Sequence, residues 1–206
     1  MQDLKVFLAW SGSPVPQQIA TNHVTQRIMG TLASFSLENF GYLAKQLQPK
    51  DAAVLQQLYE QCTDFALLSD GLPPAPTAAL EEFEALPDGK TIQDKYIFGL
   101  FDSCNRLVGM MESIRHYPDH QTWWIGLMML APEVRGNGLG TEFYKSFKQW
   151  VATQGVSQIS LAVFESNKPG LKFWKKMGFE VIRKAPPQQF GLKTHERHVL
   201  SSTLQN

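Results

Sequence analysis

The feature that most limits the fold is an apolar run, "TWWIGLMML" at 122–130, followed at once by "APEVRGNGLG" and then by a helical pattern. A strand apolar on both faces has to be covered on both sides, so this run predicts a central strand between two layers. Glycines at 136, 138 and 140 come next, where the backbone must turn sharply and stay bare. Leu139, Phe143, Phe147, Trp150 and Val151 then form one apolar helical stripe, with Thr141, Lys145 and Lys148 off it. Strand, glycine turn and helix together converge amide hydrogens at a helix start, which is a site for an anion.

The remaining pattern supplies more elements. "YLAKQL" reads as a strand, and Pro49 opens a helix carrying Val54, Leu55, Leu58, Tyr59 and Cys62. "SDGLPPAPT" is a loop, and Thr77 to Leu86 is a second short helix. "KYIFGLF" and "RLVGMMESIR" form a hairpin around "DSCN", and "QISLAVF" is a further buried strand. "NKPGLKFWKKMGF" is a helix with Pro169 in its first turn and Gly178 as a left-handed stop. "FEVIRK" and "HERHVL" are strands joined by the loop "APPQQFGLKT". Residues 1–36 stand apart as an extension of unknown role, in which "KVFLAW" reads as a short strand and "SGSPVP" as a turn. That opening resembles the first strand and loop of Toll/interleukin-receptor-like domains, a fold so short a segment cannot build and nothing later continues.

Composition limits the function classes. Of 206 residues 43% are apolar and 18% charged, as in a globular chain. Lysine plus arginine equals aspartate plus glutamate at 19 each, which argues against nucleic acid as an obligate partner but leaves room for a local basic patch. Cys62 and Cys104 make no disulfide framework and read as one core thiol and one turn thiol in a reducing compartment. No cysteine or histidine pair has zinc spacing, so no metal is expected. No apolar run reaches membrane-spanning length, and "MQDLKVFLAW" lacks a basic leader; the expectation is a cytoplasmic chain without a membrane partner.

Three phosphate-binding patterns compete for "RGNGLG". The ATP-type loop needs Lys-Ser/Thr after its last glycine, where this chain has Thr141 and Glu142. The dinucleotide fingerprint needs two residues between its second and third glycines, where only Leu139 stands. Arg-x-x-Gly-x-Gly is met by Arg135, Gly138 and Gly140.

With that motif the chain resembles the GNAT superfamily of N-acetyltransferases. "LAPEVRGNGLG" is similar to its pyrophosphate-binding motif, and "ESNKPGLKFWKKMGF" to its second cofactor motif, with Asn167 and Gly178-Phe179 at the family's spacing. The resemblance covers residues 40 to 200. It implies an α/β domain over 37–206, with a mixed, mostly antiparallel sheet flanked by helices on both faces. It implies acetyl-coenzyme A as co-substrate, held between the "WWIGLMML" and "QISLAVF" strands, with direct transfer to an amine. The contacts it implies are Leu130 along the pantetheine arm, the amides of Arg135, Gly136, Asn137, Gly138, Gly140 and Thr141 on the pyrophosphate, and Asn167 on the arm.

Asn167 also reads as a helix cap. At Trp174 the family often has a tyrosine that protonates the leaving thiolate. Tryptophan has no such proton, and this side chain reads as a wall of the pantetheine channel or a core residue. The general base is expected at Glu112, directly or through water, with an exposed strand residue as the plain alternative. Glu165 is a weaker candidate, and Asp64 and Asp70 are expected to be solvated or to bind a cationic substrate. No partner can be read for His116, His195 or His198. The expected partner is a small-molecule or peptide amine, and the pattern allows a homodimer. A non-catalytic acyl-coenzyme A sensor is the alternative function. The segment from Cys62 to Lys90 and the "PPQQFGLK" stretch are expected to select the acceptor.

Overall fold

The computed structural model of the chain describes residues 32–37 and 40–204. The strand and turn expected within "KVFLAWSGSPVP" lie outside the described residues. The elements are β1 (Ser34–Leu37), β2 (Tyr42–Gln46), α1 (Ala52–Gln61), α2 (Thr63–Ser69) and α3 (Ala78–Glu84). They continue with β3 (Lys95–Phe101), β4 (Leu107–Arg115), β5 (Thr122–Leu130), α4 (Leu139–Ala152), β6 (Gln158–Phe164), α5 (Lys168–Lys176), β7 (Glu180–Phe190) and β8 (Lys193–Thr203). One sheet takes in the strands in the order β1-β2-β3-β4-β5-β6-β8-β7. Every neighbouring pair is antiparallel except β5 and β6. The architecture is thus the mixed, mostly antiparallel α/β sheet read from the sequence.

Two successive tryptophans on β5 explain why the sheet needs a layer on each side. Trp123 and Trp124 are both buried, yet neighbours along a strand face opposite ways. Trp123 meets Trp150 of α4, with ring centres 5.3 Å apart. Trp124 instead packs with Ile114 of β4 and Val199 of β8. Ile114 shares a strand face with Glu112, and Glu112 lies under α1 and α3. So α4 covers one face and the α1–α3 group covers the other. The stripe predicted on α4 is buried at Leu139, Phe143, Phe147 and Val151, with Trp150 partly so.

Three elements differ from the sequence reading. The sheet begins at Ser34, three residues before the boundary expected at residue 37. Leu37 is fully buried, and Phe35 stands 5.1 Å from Phe98 and 6.3 Å from Trp150. The helix opened by Pro49 breaks at Cys62, whose backbone (φ -94°, ψ 32°) leaves the helical region, and α2 starts anew at Thr63. Thr63 Oγ1 donates to the Glu60 carbonyl at 2.7 Å, a side-chain bond of the kind that bends helices. The expected loop 185–194 is strand: β7 runs through Pro186 and Pro187 to Phe190, and only Gly191 and Leu192 turn the chain. The prolines are tolerated because β7 is the outer strand and its register shifts between Ala185 and Gln188.

The hairpin tip docks on α2. Gly191 has φ +52°, and a Cβ there would come within 2.6 Å of the Asp70 carbonyl oxygen. Leu192 donates its amide to that same oxygen at 2.8 Å, and Lys193 Nζ donates to the Leu67 carbonyl at 2.7 Å.

Candidate active site

β5 and β6 pair only from Thr122–Ile125 to Gln158–Leu161 and then separate. A bulge helps drive them apart. The β4–β5 register steps from Glu112 opposite Leu127 to Ser113 opposite Ile125, which leaves Gly126 without a partner on β4. A bulge of this kind bends and twists its strand. Beyond it, Met128–Leu130 and Ala162–Phe164 form the walls of a V-shaped opening through the sheet.

At the wide end the chain leaves β5 and turns through Gly136 (φ +83°) and Gly138 (φ +90°) into α4. These backbone angles favour glycine at both positions. The amides of Gly136, Asn137, Gly138 and Gly140 donate to no acceptor among the described residues. They lie at the start of a 14-residue helix, where the dipole favours negative charge. Gly140 is close-packed: a Cβ there would sit 3.4 Å from Leu130 Cδ1 and 3.7 Å from Phe173 Cε2.

The expected coenzyme contacts come together here. Leu130, Arg135, Gly136, Gly138, Gly140, Thr141, Asn167 and Trp174 all line one cleft of about 1270 Å³. Asn137 instead accepts the Leu139 amide on its Oδ1 at 3.1 Å. The amide of Arg135 donates to the Pro132 carbonyl at 3.3 Å, and that of Thr141 to the Gly138 carbonyl at 3.0 Å, so the unpaired amides are fewer than the sequence reading assumed. The Arg135 side chain is a staple. Its Nη1 and Nη2 lie 2.5 and 3.2 Å from the two Asp64 carboxylate oxygens, and its Nε donates to the Leu130 carbonyl at 2.8 Å. The hydrogen bond from Arg135 holds the Asp64 carboxyl below its ordinary range. Asp64 therefore ties α2 to the end of β5.

Asn167 is the N-cap of α5, its Oδ1 accepting the Gly170 amide at 3.0 Å. Trp174 is buried, edge-on to Tyr144 and Phe179 with ring centres 5.4 and 5.3 Å away, and it faces both this cleft and the next.

A second cleft, of about 570 Å³, occupies the opening between β5 and β6 and includes Gly126, Leu127, Phe65 and Arg197. A third, of about 520 Å³, lies under α1–α3, and Phe65 and Leu127 also line it. Its carboxylates are Asp70, Glu81 and Glu82. Phe65, Glu82, Gly126 and Arg197 were not singled out from sequence, where each reads as an ordinary helix or strand residue.

Glu112 is buried, not exposed as its plain alternative had it. Lys95 Nζ lies 2.9 Å from Glu82 Oε1 and 3.3 Å from Glu112 Oε1, the second contact without hydrogen-bond alignment. Tyr59 donates its hydroxyl to the other Glu82 oxygen at 3.0 Å. Desolvation pushes the Glu112 carboxyl up to about 7, against the pull of Lys95 and with help from Glu82. With Glu112 ionised, above about pH 7, two carboxylates around one ammonium carry an excess negative charge, and Glu82 brings that cluster to the cleft wall.

The other candidates are engaged elsewhere. Glu165 pairs with Lys184 at 3.0 Å, which holds its carboxyl below the usual value and makes it a poor base. His195 Nε2 lies 2.8 Å from the Ser69 carbonyl oxygen, His116 Nδ1 2.7 Å from that of His120, and His198 Nε2 3.7 Å from Glu165. Asp70 is buried rather than solvated. Among the described residues no cluster of His, Cys, Asp and Glu could hold a metal ion, and no helix is long and apolar enough to cross a membrane.

Known proteins resemble this chain in sequence and in fold. The model of the acetyltransferase (GNAT) family matches residues 54–179, over half of the chain. Thialysine N-epsilon-acetyltransferase of Bos taurus is 28% identical over 75 residues, covering 34% of this chain and 44% of that protein. The match thus spans less than half the length of that curated relative. An acetyltransferase of Thermus thermophilus superposes with a TM-score of 0.64 at 19% identity, over 79% of this chain and 97% of that one. The spermidine N-acetyltransferase of Vibrio cholerae, crystallised with CoA and spermine, superposes at 0.61 with 16% identity, over 80% and 96%. At these identities the structural likeness is one of fold.

Proposed function

The chain belongs to the acetyltransferase (GNAT) family, and on that premise we propose that it moves the acetyl group of acetyl-coenzyme A directly onto a primary amine. The observation that carries this reading is the set of unpaired amides of Gly136, Asn137, Gly138 and Gly140, at the mouth of the opening between β5 and β6. The donor's pyrophosphate takes those amides, and its arm follows Leu130 and Asn167 with Trp174 as a wall. The names of the relatives, acting on thialysine and spermidine, support an amine as acceptor.

The acceptor approaches from the α1–α3 face, past the carboxylates of the third cleft. An ammonium must lose a proton before its nitrogen can attack the thioester carbon. The Glu82–Lys95–Glu112 cluster takes that proton. Glu112 is the member whose affinity suits neutral pH, and Glu82 is the member that lines the cleft. Nitrogen–carbon bond formation then breaks the carbon–sulfur bond, and the second proton of the attacking nitrogen passes through water to the departing thiolate, so that an amide and the coenzyme A thiol leave. Trp174 has no acid to give, and among the described residues no tyrosine lines the donor cleft.

Gly138→Asp tests the cradle. A side chain at φ +90° is strained, and its charge would oppose the pyrophosphate. Calorimetry should find acetyl-coenzyme A binding in the parent and its loss in a variant that still melts cooperatively. Equal affinity in the two proteins would refute the assignment.

A further inference from the structure

Arg197 of β8 is 4% exposed, and neither its Nε nor its Nη1 has a hydrogen-bond partner among the described residues. Its guanidinium lies 5.3 Å from the centre of the Phe190 ring, a face that stacks but leaves those N–H donors unsatisfied. A guanidinium keeps its proton, so burying one without an acceptor is strongly unfavourable. The carboxylates on adjoining segments do not relieve it. Glu165 and Glu196 lie 3.0 and 3.6 Å from Lys184, and Glu196, next to Arg197 in a strand, points to the opposite face.

The strand pairing says which ligand this arginine meets. Arg197 lies opposite Phe164 of β6 and shares its face with His195, which touches Ser69 of α2. That is the face covered by α1–α3. Arg197 therefore reaches the opening from the acceptor side; the glycine turn lines the donor cleft, and Trp174 stands between the two clefts and lines both. The neighbouring cleft, which shares Phe65 and Leu127, carries Glu81 and Glu82. Adjacent clefts of opposite charge fit a ligand with both an ammonium and a carboxylate.

We propose that Arg197 receives a carboxylate of the acceptor, so that the amine acetylated is an amino acid or a related amino carboxylate rather than a simple alkylamine or polyamine. The planar fork of the guanidinium matches a carboxylate with two parallel hydrogen bonds. This assignment rests on the acetyltransferase reading above and narrows its substrate class.

Thiol release with acetyl-coenzyme A is the test, over the L-amino acids and their decarboxylated counterparts, such as lysine against cadaverine and ornithine against putrescine. At least one amino acid should exceed its counterpart in kcat/KM by roughly tenfold or more, and Arg197→Met should remove about that preference while leaving the decarboxylated amine within about twofold. Arg197→Met should melt no lower than the parent without ligand, since it removes an unpaired buried charge. Arg197→Lys, which keeps the charge but not the fork, should fall between the two. Equal rates within every pair would overturn the proposal, as would thiol release by no member of the panel. A preference for succinyl- over acetyl-coenzyme A that disappears in Arg197→Met would move the carboxylate to the donor and also overturn it. Coenzyme A binding, measured by calorimetry on the same protein, separates these failures from failure of the acetyltransferase reading, which would take this inference with it.

Discussion

Glu112 is where burial and chemistry are most tightly linked. Its carboxyl is raised from 4.5 to about 7, chiefly by desolvation, so the folded chain holds that proton more tightly than the unfolded chain does. The stabilisation this confers is complete below about pH 4.5 and is lost as pH rises toward 7. Glu112→Gln should therefore flatten the fall in melting temperature across that window, leaving it steeper in the parent. In catalysis the same variant should lower kcat by roughly 100-fold or more and erase the rise of rate through neutral pH, if the cluster is the base. An unchanged pH–rate profile in a folded variant would remove Glu112 from the proton's route. The burial was not legible in "RLVGMMESIR", because a glutamate in a strand reads as a solvent-facing residue until Lys95 and Glu82 are seen around it. Arg197 was hidden by the same logic, being one charge in an alternating strand.

Among the elements, β1 bears most on where the folded unit starts. Leu37 is fully buried, and Phe35 joins the aromatic cluster beneath α4. Leu37→Ala should cost about 3 kcal/mol, which for a domain of this size lowers the melting temperature by roughly 10 °C. A chain beginning at residue 32 should keep the parent's melting temperature, and one beginning at residue 38 should lose more than Leu37→Ala does. Equal melting by both shortened chains would make β1 dispensable. Patterns long enough to repeat were readable: the stripe of α4, the two-sided burial of β5 and the turn between them follow from residues 122–151 alone. β1 has four residues, too few for a period. The β7–β8 hairpin was obscured because Pro186 and Pro187 mark a loop unless the strand is known to lie at the sheet's edge. The break at Cys62 leaves no mark in the apolar spacing, and the Thr63 hydroxyl that bonds the Glu60 carbonyl there reads in sequence as any exposed threonine.

For the molecule as a whole, the separation of β5 from β6 has a kinetic meaning. The opening passes through the sheet, with the glycine turn and α5 at one entrance and the α1–α3 group at the other. On the proposed reading, donor and acceptor would arrive by separate doors, and neither product would have to wait for the other to clear a shared path. Both substrates can then be aboard together, and the order of arrival is unconstrained by geometry. Initial-rate plots should intersect rather than run parallel. Coenzyme A should compete with acetyl-coenzyme A but not with the amine, and the acetylated product should show the converse. Parallel lines would instead mean that the acetyl group stops on the protein, with Cys62, which lines the cleft under α1–α3 and lies 3.5 Å from the Arg135 guanidinium, as the first residue to examine by mass. A hole left in a sheet by one bulged glycine would thus set the traffic rules of the reaction as well as its site.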